Sequence, residues 1–201
     1  MDFPDKYTLT PKQSLFLAKK KWDENVYCGM RMENRNVTFP QTKTILDGVN
    51  VPNVTLDDIQ AILNMRDAWR FMLNTMDTPL TIEYLCSLNG YIARNEQPPI
   101  PSLNGAETEL SGILSDGSTA TEKALNLFTW GARGQLFWDG NKHTSLMAAN
   151  KVLISAGAGM LTITDRHMER FNDLLLDFYN TGEGGELKRY LYDNAIQGIE
   201  L

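Results

Sequence analysis

A chain of 201 residues, 42% apolar and 22% charged, suits one soluble domain with a substantial core and is short for two. Its net charge of −6 and pI near 5.0 repel phosphate at long range, which argues against non-specific binding to nucleic acid or to an anionic membrane. No apolar run approaches the ~20 residues of a bilayer span, the first residues lack a signal sequence, and Cys28 and Cys86 form no CxxC pair, so the sequence predicts a cytoplasmic protein with reduced thiols and no structural zinc.

The elements read in chain order as helix after helix. Thr10, Pro11 and Gln13 have the spacing of a capping box, opening a helix whose Leu15, Ala18, Trp22 and Val26 suit one buried stripe. Thr38, Pro40 and Gln41 repeat the signal for a shorter helix that stops near Gly48. Thr55 opens a longer helix with Ile59, Ile62, Leu63, Trp69 and Leu73 on its inner face. Thr78 and Pro79 start the next, with Tyr84, Leu85, Leu88 and Ile92 inward. From Gln97 to Gly117 three prolines and three glycines interrupt the pattern. This stretch reads as an irregular flap in which Leu103 to Ile113 suits a small hairpin, and Glu107 and Glu109 read as exposed loop polarity. Helices follow over Thr119–Gly131, Asn141–Ala156, Asp165–Asn180 and Gly185–Gln197. The fold class is all-α with a small irregular β-hairpin flap, in a single domain over residues 1–201.

The chemistry gathers between Gln135 and Thr144. Asp139, Gly140 and Asn141 stand directly before a segment, Leu146 to Ala156, that reads as amphipathic. A glycine turn feeding a helix leaves backbone N–H groups unpaired at the positive end of the helix dipole, where a phosphate can sit. Asp139 is a candidate magnesium ligand, because one carboxylate oxygen suffices when phosphates supply others. Gly140 permits close backbone approach, Asn141 can pin the turn, and Lys142 brings a point charge for phosphate. His143 can be a base, a phosphate contact or a silent histidine, and His167 reads as a solvated helix residue. An ordinary Asp-Gly turn capping a helix is the competing structural account.

These residues resemble the central motif of Fic (filamentation induced by cAMP) proteins, HxFx(D/E)GN(G/K)R, with Phe137, Asp139, Gly140, Asn141 and Lys142 in register. The likeness continues through Asn150 to Gly157 and into Leu161 to Thr164. A second matching segment, Met32 to Thr38 followed by Gln41 to Leu46, resembles the family's IEGNxxT…ET stretch. The resemblance to this Fic/Doc (Fido) family implies a helical bundle, a target-docking flap, and transfer of AMP from ATP to a Ser, Thr or Tyr hydroxyl of a protein. It implies ATP and Mg2+ as cofactors, Asp139 as metal ligand, and a nucleotide site made by Phe137, Asp139, Gly140, Asn141, Lys142, His143 and Thr144.

Three departures fall on the chemistry. Gln135 stands at the position of the family's catalytic histidine, and an amide can orient a hydroxyl but cannot take its proton near neutral pH. His143 replaces the motif arginine, and Leu146 replaces a second arginine carried by many members. Lys142 resembles the death-on-curing branch, which phosphorylates instead. By resemblance, residues 1–35 correspond to an inhibitory N-terminal part whose glutamate, here Glu33, enters the nucleotide site. With Leu146 in place of its usual partner, Glu33 is left to meet Lys142 or His143, or to be structural. The expected function is a divergent transferase that binds a nucleotide and moves AMP or phosphate to a protein hydroxyl, the alternative being a catalytically silent module that binds nucleotide or protein.

Overall fold

The computed structural model describes residues 2–94 and 105–199. Threonine side chains cap five of its ten described helices. Thr10 and Gln13 close a capping box that opens α1 (Pro11–Lys20), and α2 (Trp22–Met32) follows. Thr38 and Gln41 close a second box ahead of α3 (Phe39–Leu46). Thr55 accepts the Asp58 N–H at the start of α4 (Leu56–Asn74), and Thr81 accepts the Tyr84 N–H at the start of α5 (Ile82–Ala93). Next come α6 (Ala106–Ser115) and α7 (Ala120–Gly134), the latter capped by Thr119. The chain then forms α8 (Asn141–Ala156), β1 (Met160–Leu161), α9 (Asp165–Thr181), α10 (Gly185–Ala195) and β2 (Ile196–Gln197). The two strands pair antiparallel, Met160 opposite Gln197 and Leu161 opposite Ile196. The architecture is all-α with one short ribbon, and no helix among the described residues is long and apolar enough to cross a membrane.

Four details differ from the sequence expectation. The first stripe is split at Lys21, whose φ of −103° and ψ of 15° end α1 and begin α2. The split lets α1 pack on α8 while α2 packs on α4. The fourth cap is Thr81 and not Thr78, a choice that puts Ile82, Tyr84 and Leu85 inside together. The expected hairpin from Leu103 to Ile113 is overturned where the structure describes it. Residues from Ala106 are helical because Ala106, Leu110, Ile113 and Leu114 follow a helical period and pack beside α7. The rest of that expectation, residues 97–104, lies outside the described residues.

The fourth correction concerns α8, read from sequence as amphipathic. Nearly every side chain from Asn141 to Ile154 is buried. Leu146, Ala149 and Leu153 join the core made with α7, α9 and α10, while Met147 and Ile154 join that of α2, α4 and α5. Ala148 enters a third cluster with α5 and α6. A helix covered on all sides must satisfy its polar groups internally. Ser145 Oγ donates to the Asn141 carbonyl at 2.6 Å. Asn150 exchanges two bonds with the Leu161 backbone, at 2.8 and 2.9 Å, which ties β1 to the helix. Lys151 Nζ donates to the Thr75 and Met76 carbonyls at 2.6 and 3.1 Å and lies 4.5 Å from the Tyr84 ring centre. The central helix is therefore fixed along its length, and it reaches the surface at its ends, at Ser155 and Ala156 and at the turn before Asn141.

Candidate anion-binding turn

The loop between α7 and α8 is shaped by one buried amide. Asn141 Oδ1 accepts the Phe137 N–H at 2.9 Å, and its Nδ2 donates to the Phe137 carbonyl at 2.7 Å. Both bonds hold the loop backbone under the start of α8. Phe137 and Leu136 are buried beneath it, while Trp138 and Asp139 project outward, Trp138 with 65% of its surface exposed. Gly140 follows at φ 75° and brings no capping side chain. The first intrahelical bond of α8 runs from the Thr144 N–H to the Gly140 carbonyl at 2.9 Å. The N–H groups of Asn141, Lys142 and His143 precede that bond, as at any uncapped helix start.

Asp139 uses Oδ1 to accept the Gly140 N–H at 2.7 Å, which leaves its other oxygen facing solvent. A magnesium ion held by one carboxylate and by a ligand's phosphates fits this donor set. An all-protein cage does not, because no cluster of three His, Cys, Asp or Glu residues exists among the described residues. Gln135 ends α7 in left-handed backbone, φ 48° and ψ 51°. Its Nε2 donates to the Ala132 carbonyl at 3.0 Å and its Oε1 accepts from Asn141 Nδ2 at 3.3 Å. The amide at the motif head is thus folded onto the end of α7.

The first turn of α8 faces α2 as well as the loop. Lys142 Nζ lies 3.2 Å from Glu33 Oε1 and donates to the Met32 carbonyl at 3.1 Å. His143 is buried, with Nε2 bonded to the Gly29 carbonyl at 2.8 Å and Nδ1 3.8 Å from Glu33 Oε1. Because a carbonyl only accepts, Nε2 carries the proton. Burial pushes the imidazole below the usual histidine range, against the opposing pull of Glu33. Tyr179 of α9 also feels the Glu33 charge, and burial first, then that charge, push its phenol up to about 12.

The structure therefore brings Glu33 to Lys142 and His143, groups the sequence offered as its partners. It turns His143 towards α2, and it turns the Thr144 hydroxyl towards α5, where it accepts from Asn89 Nδ2 at 3.1 Å. Asn89 was not singled out from sequence. Its signal was an amide in the apolar stripe of Leu85, Leu88 and Ile92. His167 is remote in role, bonding Tyr190 at 3.0 Å.

No protein-family model matches the sequence, and no curated protein matches it significantly. Solved structures do match. A fragment of Fic-1 from C. elegans aligns with a TM-score of 0.76 at 16% identity, covering 88% of this chain and 60% of that one. A variant of the same fragment gives 0.76 and 16%, with 89% and 62% covered. A Fic domain containing signaling protein from Bacteroides thetaiotaomicron gives 0.71 at 17% identity, with 91% and 85% covered. The chain thus spans about three fifths of the nematode chains and most of the bacterial one. At these identities the likeness is one of fold, and the chain has the helical fold of Fic domains.

Proposed function

We propose that the protein is a Fic-type nucleotide binder whose transfer chemistry is altered or lost. The carrying observation is the start of α8, where Gly140 supplies no cap and an exposed Asp139 carboxylate stands beside the helix N-terminus. The backbone N–H groups of Asn141 and Lys142 hold a phosphate, and Asp139 holds magnesium. Magnesium there neutralises phosphate charge. The acceptor is a Ser, Thr or Tyr hydroxyl of a target protein, and AMP or phosphate is the group moved.

Gln135 sets the limit on rate. Its amide takes no proton, and both its polar atoms are engaged with α7 and Asn141. Lack of a positioned general base costs about 10²–10⁴-fold. Transfer survives at a reduced level because positioning and charge stabilisation supply most of the acceleration in such reactions. A silent module is the second reading, favoured by the Lys142–Glu33 pair, which holds the turn's cation on α2. In both readings Glu33 opposes anion binding at the turn. The free thiols of Cys28 and Cys86 support a cytoplasmic setting.

Thermal shift with ATP, ADP or GTP and magnesium tests the binding. At a hundredfold excess over Kd the melting temperature rises by about 5–10 °C. Absence of a shift with all three nucleotides refutes the nucleotide site. With binding in hand, α-labelled and γ-labelled ATP separate AMP transfer from phosphorylation. Asp139→Ala removes the magnesium-dependent part, and a Gln135→His variant that gains labelling identifies an otherwise competent scaffold.

A further inference from the structure

The turn that begins α8 is held from its far side by one side chain of α5. Asn89 is 7% exposed, and its Nδ2 donates to the Asp139 carbonyl at 2.8 Å and to Thr144 Oγ1 at 3.1 Å. A side-chain amide nitrogen has two hydrogens, and both are used. The two acceptors flank Gly140, one before it in the loop and one a helical turn after it. Gly140 itself is pressed against the same helix. A Cβ added there would lie 2.9 Å from Ile92 Cγ2 and 3.0 Å from Asn89 Nδ2.

Packing alone does not ask for an amide here. The other buried side chains of α5 are Ile82, Leu85, Leu88 and Ile92, all apolar, and Tyr84, whose hydroxyl bonds Thr75 away from the turn. What asks for it is the Asp139 carbonyl, which belongs to the turn and to no helical ladder. Fixing that carbonyl fixes the peptide plane between Asp139 and Gly140. The same plane carries the Gly140 N–H that Asp139 Oδ1 accepts at 2.7 Å, and so sets the direction of the free carboxylate oxygen. The Thr144 bond anchors the residue that closes the first helical turn.

We propose that Asn89 is a positioning residue that holds the Asp139–Thr144 turn in the geometry that receives magnesium and phosphate. The ligand part of this statement rests on the nucleotide reading above. The part that concerns the turn rests on the two hydrogen bonds. Residues that orient a ligand from behind typically change metal affinity by about 10–100-fold when removed.

The test compares the full chain with Asn89→Leu, which keeps the branched outline with added bulk and loses both donors, and Asn89→Asp, which only accepts. Amide exchange of Gly140 and Thr144, the hydrogen-bonded N–H groups of the turn, and the 15N resonances of Gly140 to Thr144 report on the turn, with Leu153 in the same helix as reference. Magnesium–ADP titration reports on the ligand. In the variants, exchange at the turn accelerates at least about tenfold relative to Leu153, and Kd rises by about 10–100-fold. The Gly140 resonance of the wild-type chain moves on adding magnesium–ADP, and that response is lost in the variants. Unchanged exchange at the turn overturns the proposal whatever the nucleotide does. A loosened turn with unchanged Kd reduces Asn89 to a structural residue and also overturns it. If the wild-type chain binds no nucleotide, the function proposed above fails, and with it the ligand role of Asn89, while the exchange data separately decide whether Asn89 holds the turn. Should Asn89→Leu not fold, Asn89→Gln, which displaces the amide by one methylene, gives the same comparison.

Discussion

Replacing Gly140 with alanine measures how tightly α5 grips the turn. Two costs add. Gly140 has φ 75°, and a left-handed backbone costs an L-residue about 1–2 kcal/mol. The new methyl meets Ile92 Cγ2 at 2.9 Å and Asn89 Nδ2 at 3.0 Å. Neither neighbour yields easily, since Ile92 is β-branched and Asn89 is held by two hydrogen bonds. Overpacking of this kind costs about 1–3 kcal/mol, so the sum is about 2–5 kcal/mol. Gly48 is the internal control. It has φ 82° with nothing within 4 Å of an added Cβ, so Gly48→Ala pays the backbone cost alone, about 1–2 kcal/mol. Urea denaturation at pH 7.5, fitted with a common m value, gives both numbers. In a chain of this size the Gly140 variant loses about 4–20 °C of melting temperature. A Gly140→Ala cost equal to or below that of Gly48→Ala refutes the claim that α5 crowds the turn.

The remaining predictions concern the groups around the turn. Asn141→Ala strands the N–H and carbonyl of buried Phe137 and costs about 2–6 kcal/mol, whereas Gln135→Ala, which removes an exposed side chain and its two partly buried bonds, costs about 1 kcal/mol; equal costs would show that Asn141 does not organise the loop. His143 is held neutral, with its folded pKa below the unfolded value of 6.5, so the unfolded chain takes up the proton first. Stability is therefore complete above about pH 6.5 and falls as pH drops below it, and a His143→Leu variant loses most of that slope in urea midpoints measured from pH 7.5 to 5.5. His167, also lowered by burial and by Arg166, supplies the remainder. Glu33→Ala breaks a partly exposed pair and changes stability by less than about 1 kcal/mol, yet it releases Lys142 from its ion pair, leaving the Met32 carbonyl bond, and tightens magnesium–ATP binding in titration calorimetry; unaltered affinity would remove Glu33 from the site.

How much was legible depended on the range of the interaction. The capping boxes at Thr10 and Thr38 were readable because their partners lie three residues away, and both form as spaced. The inward faces of α4 and α5 were readable because Ile62, Trp69, Leu85 and Leu88 repeat at helical period. The helical period of Ala106, Leu110 and Ile113 in α6 is masked in the sequence by three prolines and Gly105 before it and by Gly112 within it. The burial of α8 on every side was hidden for another reason. Ser145, Asn150 and Lys151 look like a solvent face until their partners, the Asn141, Leu161 and Thr75 backbones, are in place.

The sequence by itself determined the helical class, the caps at Thr10, Thr38 and Thr55, and the turn of Asp139, Gly140 and Asn141, since each depends on residues a few positions apart. It also restricted the partners of Glu33 to a short choice, by placing Leu146 where an arginine was expected. Only the tertiary structure decided that Glu33 meets Lys142 across 109 positions of chain, that His143 points to Gly29, and that Asn89 holds the turn from α5. Those contacts join helices brought together by burial of apolar faces, and apolar burial carries no direction that a linear pattern records. The direction comes from the hydrogen bonds that the packed helices then allow.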